Sequence, residues 1–252
     1  SEIGAELAGR AEVRGVGTTG SGRYLVGDFI GADVIRNEIS AQATAGGGRR
    51  VVIGTIGRHR KIDGLIAAGR LDVSAVAGRW EAYLIQGVGN DLVVAGSDKR
   101  GTIYGVYELS EQIGVSPWVW WADVPVRPRE EIHVAGAITD TGPTVQYRGI
   151  FLNDEAPALT GWVHEKFGAF DHTFYVHVFE LLLRLRANYL WPAMWQPRAF
   201  SADDPQNPEL ADEYGIVIGT SHHEPLMRAH DEWSREGEGP WDYSRNAGRL
   251  RA

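Results

Sequence analysis

Between residues 147 and 221, short apolar runs alternate with segments of helical length. The apolar runs are YRGIFLND (147–154), YLWPAMW (189–195) and IVIGTS (216–221); the segments between them are HTFYVHVFELLLRLRAN (172–188) and NPELADEYG (207–215). Strand-like runs separated by helices are typical of βαβ units, whose neighbouring strands run parallel. The pattern therefore predicts three parallel strands, in either an open α/β sheet or a (β/α)₈ barrel.

Polar and aromatic residues follow the end of each of these predicted strands. In chain order they are Asn153, Asp154, Glu155, Trp191, Trp195, His222, His223 and Glu224. In both parallel architectures the reacting groups collect at the carboxyl ends of the strands. We therefore expect these side chains to border one cleft.

Each cluster also has a purely structural interpretation. Asp154 would serve equally as a solvated turn residue or a helix cap, and Trp195 as a core side chain. The histidines His222 and His223 are adjacent, so only one is expected to point into a cleft. Asp154 after the first strand, together with His223 and Glu224 after the third, would also suit a metal ion. Acid/base chemistry or hydrogen-bonded recognition is the interpretation we favour over a metal site.

The first 140 residues predict a separate α/β sandwich. Runs rich in β-branched residues predict strands at 49–57, 80–89 and 90–97, the last two joined by a hairpin at GVGN, and apolar spacing predicts helices at 32–45 and 98–114. The glycine-rich stretches GVGTTGSGR and GTIGRH lack the lysine and Ser/Thr of a phosphate-binding loop. Flexible turns are therefore favoured over nucleotide binding.

Composition excludes several classes of function. The formal net charge is -8, which argues against nucleic-acid or anionic-membrane partners, since both require a basic face. The chain has no cysteine, so disulfides and thiolate metal sites are excluded. No apolar run approaches the ~18 residues of a membrane span.

Four long motifs resemble family 115 of the glycoside hydrolases, the xylan α-1,2-glucuronidases. They are GTIYGVYELSEQIGVSPWVWWADVP, YRGIFLNDEAPALTGWVHEKFG, ANYLWPAMW and ADEYGIVIGTSHHEPLMRAHDEW. The resemblance implies an N-terminal α/β domain (1–140), then the beginning of a catalytic (β/α)₈ TIM barrel (141–252). It also implies release of glucuronic acid, or its 4-O-methyl ether, from xylan by an inverting mechanism without a metal or cofactor.

The resemblance also implies roles for individual residues. Asn153 and Asp154 resemble the pair at the floor of the glucuronate pocket, and His223, with its neighbour His222, resembles a histidine position that lines it. Further cleft residues implied by the motifs are Glu165 and Trp195. An inverting hydrolase needs an acid and a base ~6.5–9.5 Å apart. Asp154 would act as the base or position water.

The family's general acid lies on a later strand, so we expect the remainder of the same enzyme to supply it and to complete the barrel. The implied partner is glucuronoxylan or its oligosaccharides, and the sequence leaves homodimerisation and localisation open. The alternative is a noncatalytic carbohydrate-binding or assembly module whose tryptophans stack on xylan. The absence of the acid from these residues keeps this alternative open.

Overall fold

A computed structural model describes residues 16–18, 33–34, 41–45, 49–112, 114–125, 136–220 and 230–251. The chain divides into two compact units, one formed by residues 1–146 with 183–186 and the other by 147–182 with 187–252. Both combine helices with sheet, as expected for an α/β protein. Among the described residues, no helix is long and apolar enough to cross a bilayer.

The first unit contains a seven-stranded mixed sheet. Its strands are β1 (Val16–Thr18), β2 (Asp33–Val34), β3 (Ala41–Ala45), β4 (Arg49–Thr55), β5 (Tyr83–Val88), β6 (Asp91–Gly96) and β7 (Ala137–Asp140), in the order β2-β1-β3-β4-β6-β5-β7. Strands β4 and β6 are parallel, and β5 and β6 form the predicted antiparallel hairpin around Gly89. The three strands predicted in this unit are confirmed.

Two helices follow the parallel strands of the first unit. Helix α1 (Arg60–Ala67) follows β4, and α2 (Lys99–Gln112) follows β6. Each helix has a close contact with the strand region at a glycine, where no other residue would fit. A β-carbon at Gly54 would overlap the ring of His59, and one at Gly101 would overlap the carbonyl of Ala82. Gly54, the first glycine of GTIGRH, therefore allows β4 to pack closely against the start of α1.

The helix predicted at 32–45 is wrong. Residues Ala41–Ala45 form β3, which pairs antiparallel with β4 so that Ala43 lies opposite Val51. Its apolar spacing did not distinguish a helix from a strand, because the segment is rich in alanine. Pairing with the buried β4 decides the outcome, since tertiary context outweighs the weak helix preference of so short a segment.

The second unit contains a three-stranded sheet of order β10-β9-β8. Its strands are β8 (Gly149–Phe151), β9 (Tyr189–Trp191) and β10 (Val217–Ile218), and its helices are α3 (Ala158–Lys166), α4 (His172–Arg184), α5 (Phe200–Asp203), α6 (Gln206–Tyr214), α7 (His230–Glu236) and α8 (Tyr243–Leu250). Both strand pairs are parallel, which confirms the prediction of three parallel strands. Helix α6 ends at Gly215, whose φ of 75° is the left-handed conformation that glycine favours at helix ends.

A buried asparagine fixes the register of this sheet. Asn188 is fully buried, and its side-chain oxygen accepts a hydrogen bond from the Arg148 N–H at 3.0 Å. The Asn188 N–H donates back to the Arg148 carbonyl at 2.8 Å. This reciprocal pair lies at the amino ends of β8 and β9. It therefore determines which residues lie side by side at the carboxyl ends of β8 and β9.

Candidate active site at the strand ends

The candidate site begins where β8 and β9 end. Phe151 lies opposite Trp191 in the parallel register, and the Leu152 N–H donates to the Trp191 carbonyl at 2.9 Å. This bond extends the pairing one residue beyond β8. It places Asn153 and Asp154 beside the segment that follows β9.

Asp154 is buried and bonded to the neighbouring strand's loop. The residue is 1% exposed. Its Oδ1 accepts the Met194 N–H at 2.9 Å and the Trp195 N–H at 3.2 Å, and its Oδ2 lies 3.3 Å from the Trp195 nitrogen. Helix α3 begins with no side-chain cap from this residue or any other. The carboxylate thus joins two strand ends and does not serve as a helix cap.

Trp195 is held at both its main chain and its ring. Besides the main-chain bond to Asp154, its indole Nε1–H donates to the Asn153 Oδ1 at 2.9 Å. The residue remains 37% exposed. The sequence leaves open whether Trp195 belongs to the core or to a cleft, and the structure shows a partly open ring at the edge of the sheet.

A third anchor of the same segment was not identified from sequence. The hydroxyl of Tyr175, on α4, accepts the Ala193 N–H at 3.2 Å. Three consecutive main-chain amides, those of Ala193, Met194 and Trp195, therefore donate to two buried side chains, Tyr175 and Asp154. Within the amphipathic helix, Tyr175 is indistinguishable in sequence from the aromatic core residues around it.

Aromatic residues also occupy one face of the sheet. Phe151 packs edge-on against Trp191 with ring centroids 5.8 Å apart, and Tyr147 lies at the same distance from Tyr189. The Trp191 indole donates to the Tyr189 hydroxyl at 3.1 Å. A β-carbon at Gly219 would overlap this Tyr189–Trp191 pair, so β10 passes closely beside it. The face that includes these side chains is partly open to solvent.

The other sequence-predicted residues are less closely placed or lie outside the described residues. The Glu165 side chain is 74% exposed on α3 and lies 3.7 Å from the Lys166 ammonium. Glu155 is also exposed. Residues His222, His223 and Glu224 lie outside the described residues. Within the described part, no group of three or more His, Cys, Asp or Glu side chains is placed to hold a metal ion.

The arrangement suits recognition of a ring that carries polar groups. It offers an exposed aromatic surface, an asparagine side chain beside it and a buried carboxylate beneath, the combination of apolar wall and few polar groups found in small-ligand sites. The buried carboxylate, which accepts two main-chain N–H groups, and the exposed indole beside it make these two adjoining strand ends the candidate site.

Comparison with known proteins identifies a family. Residues 140–252 match the family model described as Glycosyl hydrolase family 115. Among solved structures, the chain is similar to BtGH115A, "a novel family GH115 4-O-Methyl-alpha-glucuronidase", "with specificity for decorated arabinogalactans". The TM-score is 0.76 at 34% identity, over 94% of this chain.

The matched region is only part of that relative, since it covers 32% of the BtGH115A chain. Among curated proteins, none matches the sequence. The family match nevertheless includes both strand ends that carry Asn153, Asp154 and Trp195. By sequence and by structure, the chain belongs to glycoside hydrolase family 115.

Proposed function

We propose that this chain forms part of the sugar-binding pocket of a glycoside hydrolase that releases glucuronic acid, or its 4-O-methyl ether, from a polysaccharide. The observation that carries the proposal is the cluster of Asn153, Asp154 and Trp195 at adjoining carboxyl ends of parallel strands. The membership of family 115 and the activity named for BtGH115A support it. Strands β8 to β10 would be the first strands of a (β/α)₈ barrel, preceded by an α/β domain at residues 1–140.

The substrate we propose is glucuronoxylan. BtGH115A is named for its specificity for decorated arabinogalactans, so arabinogalactan is a second candidate for the backbone. The proposed pocket would hold the uronic acid itself, so its residues bear on the side-chain sugar and not on the backbone. Xylan is the preferred backbone because the sequence motifs resemble those of xylan α-1,2-glucuronidases, and arabinogalactan is the alternative.

The proposed mechanism is inverting hydrolysis. One carboxylic acid protonates the leaving oxygen while a carboxylate activates water on the opposite face of the ring, with the two groups ~6.5–9.5 Å apart. Asp154 belongs to this pocket as the base or as a group that positions water. The acid is expected from a barrel strand beyond these residues.

Recognition of the uronate carboxylate is proposed for the histidine pair. His223, with His222 beside it, follows the third strand, so it would reach the mouth shared with Asp154. A donating or protonated imidazole forms a charge-assisted hydrogen bond to a carboxylate. Glu165, exposed on α3, is proposed as a contact at the edge of the cleft.

The function is tested with the intact enzyme incubated separately with glucuronoxylan and with a glucuronic-acid-decorated arabinogalactan. We expect chromatography to detect released uronic acid, and the ratio of the two rates assigns the backbone. His223→Ala should reduce kcat/KM more for the charged uronoside than for the matching neutral glucoside. Failure to release uronic acid from any decorated polysaccharide would contradict the proposal and favour a noncatalytic carbohydrate-binding module.

A further inference from the structure

Two consecutive residues after β8 hold both ends of one tryptophan. Asp154 binds the main-chain N–H of Trp195, at 3.2 Å, while Asn153 binds its indole N–H, at 2.9 Å. The main-chain bond fixes where Trp195 leaves β9. The side-chain bond fixes the plane of the ring. Neither bond alone determines the orientation of the exposed indole face.

We infer that Asn153 and Asp154 act together as a clamp that fixes Trp195 as a preformed surface for a sugar ring. Of the two roles proposed above for Asp154, the clamp selects positioning: Asp154 acts through Trp195, and a different group removes the proton from water. The inference rests on the proposed function for its substrate. The clamp itself consists only of contacts among Asn153, Asp154 and Trp195.

The surroundings of Asp154 favour positioning over proton transfer. A general base must come within hydrogen-bond reach of the proton it removes, directly or through one water. Asp154 is 1% exposed, and its Oδ1 is directed at two main-chain amides. Its own carbonyl accepts the Thr160 hydroxyl, so its main chain is held as well. These contacts suit a group that fixes a loop.

The surroundings of Trp195 favour a preformed surface. The residues before it, Ala193 and Met194, are buried, and the Ala193 amide is bonded to Tyr175. Only the indole emerges from this fixed segment. An indole has two side-chain torsions, and the bond to Asn153 restricts them before any ligand arrives. Because the ring is already ordered in the free protein, a ligand does not lose affinity to the cost of ordering it.

Kinetics of the intact enzyme separate the clamp from a general base. In Asp154→Asn the amide oxygen still accepts the two main-chain N–H groups, so we expect kcat to stay above about one tenth of the wild-type value and the acid limb of the pH profile to keep its position. Asp154→Leu, of similar size, removes the acceptor and should lose activity much more severely. A loss of about a hundredfold or more in Asp154→Asn, with the acid limb abolished, would overturn the positioning role.

Asn153 provides a matched pair that does not disturb the buried carboxylate. Asn153→Asp keeps an acceptor for the indole, whereas Asn153→Leu removes it at nearly the same size. The leucine variant should raise KM about five- to tenfold, the effect of losing one hydrogen bond, with a smaller change in kcat. The aspartate variant should recover most of that KM. Equal KM values for the leucine variant and the wild type would contradict the clamp.

Fluorine NMR tests the clamp without relying on activity. In enzyme labelled with 5-fluorotryptophan, the signal missing from Trp195→Phe identifies residue 195. We expect Asn153→Leu to shift or broaden that signal and Asn153→Asp to leave it narrow. An unchanged signal in Asn153→Leu would refute the clamp. If the signal responds but no uronic acid is released by the wild type, the clamp stands and the proposed reaction fails.

Discussion

At the scale of single residues, burial assigns unexpected roles to polar side chains. His59 is almost fully buried, and its Nδ1 accepts the Ile62 N–H at 3.3 Å, which caps helix α1. Removal from water lowers the pKa of this histidine below its ordinary value of 6.5, despite opposing contributions from its main-chain hydrogen bond and from Asp63. The cap therefore requires the neutral imidazole.

This burial predicts a pH-dependent loss of stability. Because the folded pKa of His59 lies below 6.5, the unfolded chain takes up the proton first as the pH falls. The stability associated with the neutral ring is fully present above pH 6.5 and is lost as the pH falls toward the folded pKa. We expect the melting temperature to decrease when the pH is lowered from about 7.5 to about 5.5. The decrease should be larger in the wild type than in His59→Asn.

The asparagine variant is the matched control because its side-chain oxygen can still cap α1 but does not titrate. His177, whose pKa burial also lowers, remains in both proteins and contributes equally to each. An identical pH response in the two proteins would show that His59 does not control the acid sensitivity. Circular dichroism on the same chain at both pH values gives the comparison.

At the scale of secondary-structure elements, backbone spacing in the three-stranded sheet depends on glycine. Gly149 lies opposite Tyr189 in the β8–β9 pair, and a β-carbon there would overlap the Tyr189 carbonyl. Backbone cannot move aside as a flexible side chain can. Gly161, within helix α3, has open space where its β-carbon would lie.

These two glycines predict opposite effects of one substitution. Gly149→Ala should weaken the sheet by ~1–3 kcal/mol through overpacking. Gly161→Ala should stabilise α3 by ~0.5–1 kcal/mol, because glycine is a poor helix former. Hydrogen exchange with mass spectrometry should therefore show faster exchange in β8 and β9 for the first variant and slower exchange in α3 for the second. Equal protection in all three proteins would disprove this account of the sheet.

The same elements show what sequence can and cannot predict. The runs around Phe151, Leu190 and Val217 are short, apolar and separated by helices, so their parallel pairing follows from periodicity and connection length. The segment Ala41–Ala45 has no comparable signal, and its pairing with β4 decides its structure. Local pattern therefore predicts elements that bury a continuous apolar face and fails where a distant strand supplies the deciding contact.

The candidate site likewise has features that sequence predicts and features that it does not. Its position follows from sequence, because Asn153, Asp154 and Trp195 all come directly after strands. Its internal contacts do not follow from sequence. The hydrogen bonds that join residues 153–154 to 194–195 depend on the strand register, which Asn188 sets at the amino ends of β8 and β9. The hydroxyl of Tyr175 gives no sequence signal distinct from that of a core aromatic. Residue identity thus locates the candidate site, and register determines what each side chain contacts.

At the scale of the whole molecule, the second unit presents an apolar sheet face. Tyr147, Phe151 and Trp191 are 53%, 43% and 37% exposed. Within the described residues, β8 and β10 are the two edges of the three-stranded sheet. Exposed edges with apolar side chains promote pairing with other chains. A barrel would enclose this face and leave neither edge free.

This exposed face predicts different behaviour for the 252-residue chain and for an enzyme that contains further barrel strands. The chain alone should self-associate as its concentration rises, measured by light scattering, and should bind a hydrophobic dye, whereas the longer protein should do neither. Phe151→Lys should reduce the association by placing a charge on the face. Tyr243→Lys is the matched control, because Tyr243 is at least as exposed as Phe151 but lies on helix α8. A chain that stays monomeric at high concentration without binding dye would show that this sheet needs no further strands to cover it, and the barrel proposal would fail with it.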